Sequence, residues 1–164
     1  MTLITEKSAT KILGNHGVRQ RITEQLKDSW EQAKNGRNFP NEADINIIAL
    51  GESWQSCFLV KYDINAENNF SYIYLGEELI AAYGDEFHQR EICEKLVFPS
   101  NNPMIYQFEQ VVKAQNWVEY DDNFINSNHL LVRYRSIIMP LGKNDNNNNE
   151  IGFLLGAMRW KAYL

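Results

Sequence analysis

The last third of the sequence, residues 116–160, constrains the fold most, because it predicts three consecutive antiparallel strands. Residues 117–124 and 130–139 each alternate between apolar and polar side chains, and Pro140 is expected to end the second strand. Asn126-Ser127-Asn128 between them is typical of a turn, since Asn and Ser side chains bond their own backbone. The polar residues 142–149 predict a second hairpin tip. Residues 151–160 are then apolar, with glycines at 152 and 156.

A turn at residues 126–128 also predicts how the first two of these strands pair. Asp121 would face Arg133 and Glu119 would face Arg135, so that one face carries a ladder of opposite charges. The other face would be mostly aromatic and branched: Tyr120 opposite Tyr134, Val118 opposite Ser136, Phe124 opposite Leu130, and Asp122 opposite Val132 as its one charged member. We interpret the two arginines as a solvated outer face, with an anion site as the alternative. The apolar face has to be covered by helices.

Composition excludes several classes of protein. With 164 residues, 44% of them apolar, the chain suits one domain with a proper core. A net charge of −5 argues against a nucleic-acid partner, which would need a basic stripe. No run of about eighteen apolar residues predicts a membrane span, and residues 1–7 lack the features of a signal peptide. Cys57 and Cys93 have no paired spacing, so we expect free thiols and a cytoplasmic location.

The sequence predicts an ordered set of elements along the chain. Residues 1–17 are expected to be frayed or disordered, and residues 18–35 to contain an amphipathic lead helix that Gly36 ends. Residues 36–164 would form the main domain. Its predicted elements before the closing strands are strands at 54–62 and 70–75, a turn at 65–69, and helices at 77–83, 86–96 and 104–115.

The lead helix carries an apolar stripe at helical spacing, made of Val18, Ile22, Leu26, Trp30 and Ala33. Such a stripe is too apolar to face water. We predict that Val18, Ile22, Leu26 and Trp30 form the interface of a homodimer. The alternative is that the stripe packs over the sheet of its own chain.

The order of these elements resembles the PAS sensory-domain superfamily, and in particular a compact bacterial subfamily that often stands alone. The resembling residues span about 26–160: Trp30 with Gly36-Arg-Asn-Phe-Pro40 and Ala43-Asp-Ile45, Cys57-Phe-Leu59, Tyr72-Ile-Tyr-Leu-Gly76 with Leu79 and Tyr83-Gly84, Arg135-Ser-Ile-Ile-Met-Pro-Leu-Gly142, and Leu155-Gly-Ala-Met158. The resemblance implies an α+β fold with a five-stranded antiparallel sheet, helices over one face, and a pocket between them. Because the sequence stops at Leu164, we expect signalling through a separate protein and no attached output domain.

Alternation along the strands indicates which side chains would line that pocket, since positions two apart share a face. The predicted ligand-binding residues are Tyr72, Tyr74, Phe108, Val111, Tyr120, Val132, Tyr134 and Ser136. Binding sites are mostly apolar with a few placed polar groups, and the tyrosine hydroxyls and Ser136 would supply these. The alternative is a closed core without a cavity.

The resemblance also raises the question of a cofactor, and the residues argue against the two obvious ones. A flavin-binding PAS domain carries its reactive cysteine in an Asn-Cys-Arg context, whereas Cys93 lies in Glu91-Ile-Cys-Glu-Lys95. A haem-binding one takes its ligand from the long helix, and residues 104–115 contain no histidine. His16, His88 and His129 are scattered, so we expect no metal site and no cofactor.

Catalytic motifs are likewise not found: the sequence has no Gly-x-Ser-x-Gly elbow, P-loop or dinucleotide fingerprint. The acidic pairs Glu77-Glu78 and Asp121-Asp122, together with Glu86, suit helix starts and strand ladders. We therefore expect no catalytic turnover. The leading interpretation is a sensory domain that binds a small molecule, a protein partner, or both. Two alternatives remain open: a protein-binding adaptor with a filled core, and an enzyme on a cone-shaped fold similar to nuclear transport factor.

Overall fold

The computed structural model describes residues 11–14, 22–45, 50–84, 103–143 and 150–164. The strands and helices there are β1 (Lys11–Gly14), α1 (Ile22–Lys34), β2 (Cys57–Tyr62), β3 (Phe70–Leu75), α2 (Glu77–Tyr83), α3 (Pro103–Ala114), β4 (Val118–Ile125), β5 (Leu131–Gly142) and β6 (Ile151–Tyr163). Short 3-10 helices lie at Glu42–Asp44 and Gly51–Ser56. The predicted helix over residues 86–96 falls outside the described residues.

The strands form one antiparallel sheet in the order β3-β2-β6-β5-β4, and β1 pairs with the far end of β6. The predicted α+β fold is thereby confirmed, with its five antiparallel strands β2 to β6, and β1 adds a sixth strand that was not predicted. The prediction that residues 1–17 are frayed is wrong for residues 11–14. Strand β2 pairs with β6 only as far as Ala157, so β6 would otherwise leave backbone groups unpaired beyond that point. Strand β1 supplies partners for the last part of this stretch, from Lys161 to Tyr163.

The two faces of the sheet are distinguished by the alternation along β5. Val132, Tyr134 and Ser136 point to the face that α3 covers, which we call the inner face, and all three are buried. Arg133 and Arg135 point to the opposite, outer face and are exposed, as the alternation predicts. Further along β5, the outer face becomes apolar and buried where α1 packs over β5 and β6.

Helix α1 places its apolar stripe against the sheet of its own chain. Ile22, Leu26 and Trp30 are each at most 1% exposed. Their prediction as a dimer interface is therefore wrong, because a surface already buried inside one chain is not available to a second. The intramolecular alternative is the one observed. Val18 lies outside the described residues, and a homodimer through another surface stays a prediction.

Strand β5 continues through Pro140 to Gly142, although we expected the proline to end it. The pairing of β4 with β5 stops at Ile138, opposite Val118. Pro140 therefore lies where, among the described strands, β5 pairs only with β6, opposite Leu154. A proline is tolerated there because its missing N–H leaves no partner on β4 unsatisfied.

The turn between β4 and β5 is longer than predicted, and this shifts the register. The side chain of Asn126 accepts backbone hydrogen bonds from Asn128 (2.9 Å) and Leu130 (3.1 Å). Pairing is consequently displaced by two residues, so Asp121 faces Arg135 and Asp122 faces Tyr134. A displacement of two leaves every side chain on its predicted face, because side chains alternate with a period of two. The predicted partners are wrong, but the division into faces holds.

Gly156 in β6 permits a close approach between the sheet and a ring from β2. A Cβ atom there would overlap the ring of Phe58, which lies directly across the pair of strands. Only a glycine leaves room for that ring, which is 2% exposed.

Among the described helices, none has the length and apolar character needed to cross a bilayer.

Candidate functional site

Between α3 and the inner face lies a cluster of aromatic rings centred on Phe108. The ring centroids of Phe70, Phe58 and Tyr72 are 5.4, 5.9 and 6.1 Å from that of Phe108. Tyr72 meets it edge-on, at 77°. These separations are typical of favourable aromatic pairs, so the rings hold α3 against β2 and β3. Phe108 is fully buried.

Beside these rings the same helix contributes a buried polar side chain, Gln107. Its Nε2 donates a hydrogen bond of 2.8 Å to the hydroxyl of Tyr134, on β5. The hydroxyl of Tyr120, on β4, donates a bond of 3.1 Å to the backbone carbonyl of Gln107. Two strands and one helix thus meet through polar contacts at this point of an otherwise apolar layer.

Two buried polar atoms at this point have no hydrogen-bond partner among the residues that the structure describes. They are Oε1 of Gln107 and Oγ of Ser136, in side chains that are 3% and 2% exposed. Leaving a buried polar atom unsatisfied costs about 1–3 kcal/mol, so such atoms in folded proteins generally bind a water or a ligand. We define Gln107, Tyr120, Tyr134 and Ser136 as the inner polar group.

The hydroxyl groups around this site keep their protons at neutral pH. Burial raises the pKa of Tyr134, and the Gln107 hydrogen bond only partly opposes this. Burial also raises the pKa of Tyr83, whose hydroxyl is enclosed and bonded to Tyr72 although part of its ring is accessible. Neutral phenols can both donate and accept hydrogen bonds. The site therefore presents uncharged polar groups to whatever occupies it.

Six of the eight predicted ligand-binding residues lie in the layer between α3 and the inner face: Tyr72, Phe108, Val111, Tyr120, Tyr134 and Ser136. Val132 is buried on the same inner face, opposite Phe124. Tyr74 does not join them. A β-bulge at Ile73 places Tyr74 opposite Leu59 while Tyr72 stays opposite Val60. That these residues bind a ligand stays a prediction.

Tyr74 instead packs on Trp54, with centroids 4.4 Å apart and planes 6° from parallel. Its hydroxyl donates a hydrogen bond of 3.0 Å to the Trp54 carbonyl. Trp54 was predicted to begin the first strand of the hairpin. It lies in the 3-10 helix Gly51–Ser56 instead, and β2 begins at Cys57.

Sequence reasoning missed Gln107, although the signal was present. Met104, Gln107, Phe108 and Val111 follow the spacing of one buried helical stripe, and Gln107 is its one polar member. A polar residue at an apolar position of a buried stripe requires a partner. The pattern could therefore have placed Gln107 beside Phe108 and Val111 in the predicted site.

The described residues offer little for catalysis. Burial raises the pKa of the Cys57 thiol to about 12, so this group is not a thiolate nucleophile at neutral pH. His129 is exposed in the β4–β5 turn. Within the described ranges no three His, Cys, Asp or Glu residues are grouped to hold a metal ion. Cys93 and His88 fall outside those ranges.

Comparison with known proteins places the chain in a family. A family model described as a PAS domain matches residues 18–158. Among solved structures, a fungal LOV domain photoreceptor is similar, with 18% identity over 70% of this chain and 79% of that chain and a TM-score of 0.41. A comparison with curated proteins finds no match. Because the family model covers most of the sequence, the chain belongs to the PAS domain family.

Proposed function

We propose that this protein is a sensory domain that binds a small uncharged molecule between α3 and the inner face, and passes the signal to a separate protein. Membership of the PAS family supports a sensory role in general. A cytoplasmic location is part of the proposal and is compatible with the free thiol of Cys57. We further propose that the protein has no enzymatic activity.

The observation that carries this proposal is the pair of unsatisfied atoms in the inner polar group. Oε1 of Gln107 only accepts hydrogen bonds, so its partner must carry an N–H or O–H group. The group itself contains no charged side chain, and the nearby carboxylate of Asp122 is exposed to solvent. A charged ligand would lose its hydration without gaining an ion pair. We therefore expect a neutral ligand with at least one donor group.

Native mass spectrometry of the freshly purified protein, compared with denaturing conditions, tests this proposal. We expect a noncovalent adduct that denaturation releases. The variant Gln107→Leu should weaken the affinity for the ligand roughly tenfold, the effect of losing one buried hydrogen bond, and so lower the occupancy of the adduct. Gln110→Leu is the matched control, because Gln110 is exposed on the same helix and its replacement should leave the adduct unchanged. Equal loss in both variants would contradict the proposal.

A specific observation favours one second candidate, a protein-binding adaptor with a filled core. The rings of Phe58, Phe70 and Tyr72 already surround Phe108 closely and occupy part of the layer where a ligand would lie. In that case, only water would satisfy Gln107 and Ser136, and the adduct would not be found. The other alternative was an enzyme on a cone-shaped fold. The PAS family match excludes that fold.

A further inference from the structure

The outer face of the sheet carries four cationic side chains in two adjacent rows. Arg133 on β5 lies directly opposite Lys161 on β6, and Arg135 lies directly opposite Arg159. Cross-strand partners share a face, so all four side chains lie on the outer face of the sheet. Helix α1 covers that face only further along β5. Arg133, Arg135 and Lys161 are exposed, and Arg159 is half-buried. We call these four residues the basic face.

Like charges directly opposite one another destabilise a sheet, because the two Cβ atoms are only about 4.5–5.5 Å apart. Strand β4 supplies one carboxylate for the two rows: Asp121 bonds Arg135 at 3.2 Å, whereas Asn123 lies opposite Arg133. Arg133 and Arg159 also interact with other parts of the chain. The surface nonetheless concentrates positive charge in a protein whose net charge is −5.

The row next to the basic face is apolar. Ile125 on β4 lies opposite Leu131 on β5, which lies opposite Tyr163 on β6. Ile125 is 63% exposed, and the other two side chains are half-buried. Apolar side chains bordering a cluster of charges are typical of a surface that binds a partner through both kinds of contact.

From this arrangement we propose that the basic face, with its apolar row, docks an acidic segment of a partner protein that also carries apolar side chains. A second copy of this chain fits poorly, because a two-fold contact would set the basic face against itself. Nucleic acid and anionic membranes fit less well, since the chain's negative net charge repels a long polyanion. A short acidic segment matches two rows of charge without approaching the rest of the surface.

The test uses a fluorescent peptide in which glutamates alternate with leucine and phenylalanine, together with its glutamine counterpart. Fluorescence anisotropy with the full chain should show binding of the glutamate peptide that weakens with added salt, and little binding of the glutamine peptide. The variant Arg133→Glu/Lys161→Glu should weaken this binding at least roughly tenfold, since two attractive contacts become repulsive. Labelled-protein NMR should place the shift changes on β5 and β6.

The matched control is Lys61→Glu/Lys113→Glu, which makes the same change in net charge at exposed lysines outside the basic face. It should leave the affinity within about twofold. Equal weakening by both double variants would overturn the proposal, because it would show attraction to net charge alone. No binding of the glutamate peptide would overturn it too, as would tighter binding of a DNA duplex or of vesicles containing phosphatidylserine. Circular dichroism confirms that each variant is folded before its result is used.

Discussion

The indole Nε1 of Trp30 donates a hydrogen bond of 2.8 Å to the backbone carbonyl of Pro140. It connects the middle of α1 to the section of β5 that extends beyond β4. Because Pro140 lies where β4 has ended, no described strand pairs with its carbonyl on that side, and the indole donates to it instead. The bond therefore fixes α1 over the outer face at the point where the sheet narrows.

We predict that Trp30→Phe lowers the free energy of unfolding by about 1–2 kcal/mol, because the Pro140 carbonyl stays buried and loses its donor. Urea denaturation followed by circular dichroism measures the change. The matched control is Trp117→Phe. The indole of Trp117 bonds Glu31 at 3.2 Å near solvent, and its replacement should cost no more than about 0.5 kcal/mol. Equal losses in the two variants would show that the buried hydrogen bond of Trp30 contributes no more to the free energy of unfolding than the exposed one of Trp117.

The close approach of Phe58 to Gly156 gives a second prediction. Gly156→Ala should destabilise the protein by at least about 2 kcal/mol, because the added methyl would overlap the Phe58 ring and neither strand can move independently. Phe58→Leu removes the overlapping ring, so the double variant should be more stable than the sum of the two single losses predicts. A double-mutant cycle in urea should give a coupling of about 1–3 kcal/mol. Additive losses would contradict this account of the glycine.

Much of the fold could be predicted because local patterns determine it. The limits of β3 and α2 match the predicted ranges 70–75 and 77–83 residue for residue, since glycines and a turn border them. The division of β4 and β5 into two faces was also predictable, because it depends only on alternation. Local signals of this kind need no knowledge of what the rest of the chain does.

Other features depended on distant parts of the chain. Pro140 was expected to end β5, and only the early end of β4 makes it acceptable there. The bulge at Ile73 removed Tyr74 from the predicted site, although simple alternation puts it beside Tyr72. Whether the stripe of α1 faced a second chain or its own sheet also required the tertiary structure. Gln107 is a different case, because its position in the α3 stripe is visible in the sequence and could have been predicted.

Stability should fall in alkaline solution, and Cys57 should dominate the first part of the fall. Burial raises its pKa from 9.0 to about 12. A group whose pKa is raised on folding contributes its full stability below the unfolded value and loses it as the pH rises toward the folded value. The unfolding free energy should therefore be level below pH 9. Above it, the free energy should decrease by up to about 1.4 kcal/mol per pH unit.

Urea titrations at pH 8, 9 and 10 of the wild type and Cys57→Ala measure this dependence. The variant should be less stable overall and nearly flat between pH 8 and 9. Toward pH 10 the tyrosines with raised pKa, among them Tyr134, add a similar slope to both proteins, because an unfolded tyrosine is half-ionised at about pH 10. If the unfolding free energy of the variant fell with pH as steeply as that of the wild type, a group other than Cys57 would cause the fall.

The last prediction concerns the apolar stripe of α1. Ile22→Ser/Leu26→Ser should unfold the protein, because each truncation of a fully buried aliphatic side chain costs about 2–5 kcal/mol and a domain has only about 5–15 kcal/mol of stability. Circular dichroism and light scattering together measure fold and mass. Asp28→Ser/Gln32→Ser is the control, since it puts the same residue type at exposed positions of the same helix and should leave the protein folded. If the first variant were instead a well-folded monomer derived from a wild-type dimer, the stripe would have to serve a second chain, and the intramolecular packing of α1 would be wrong.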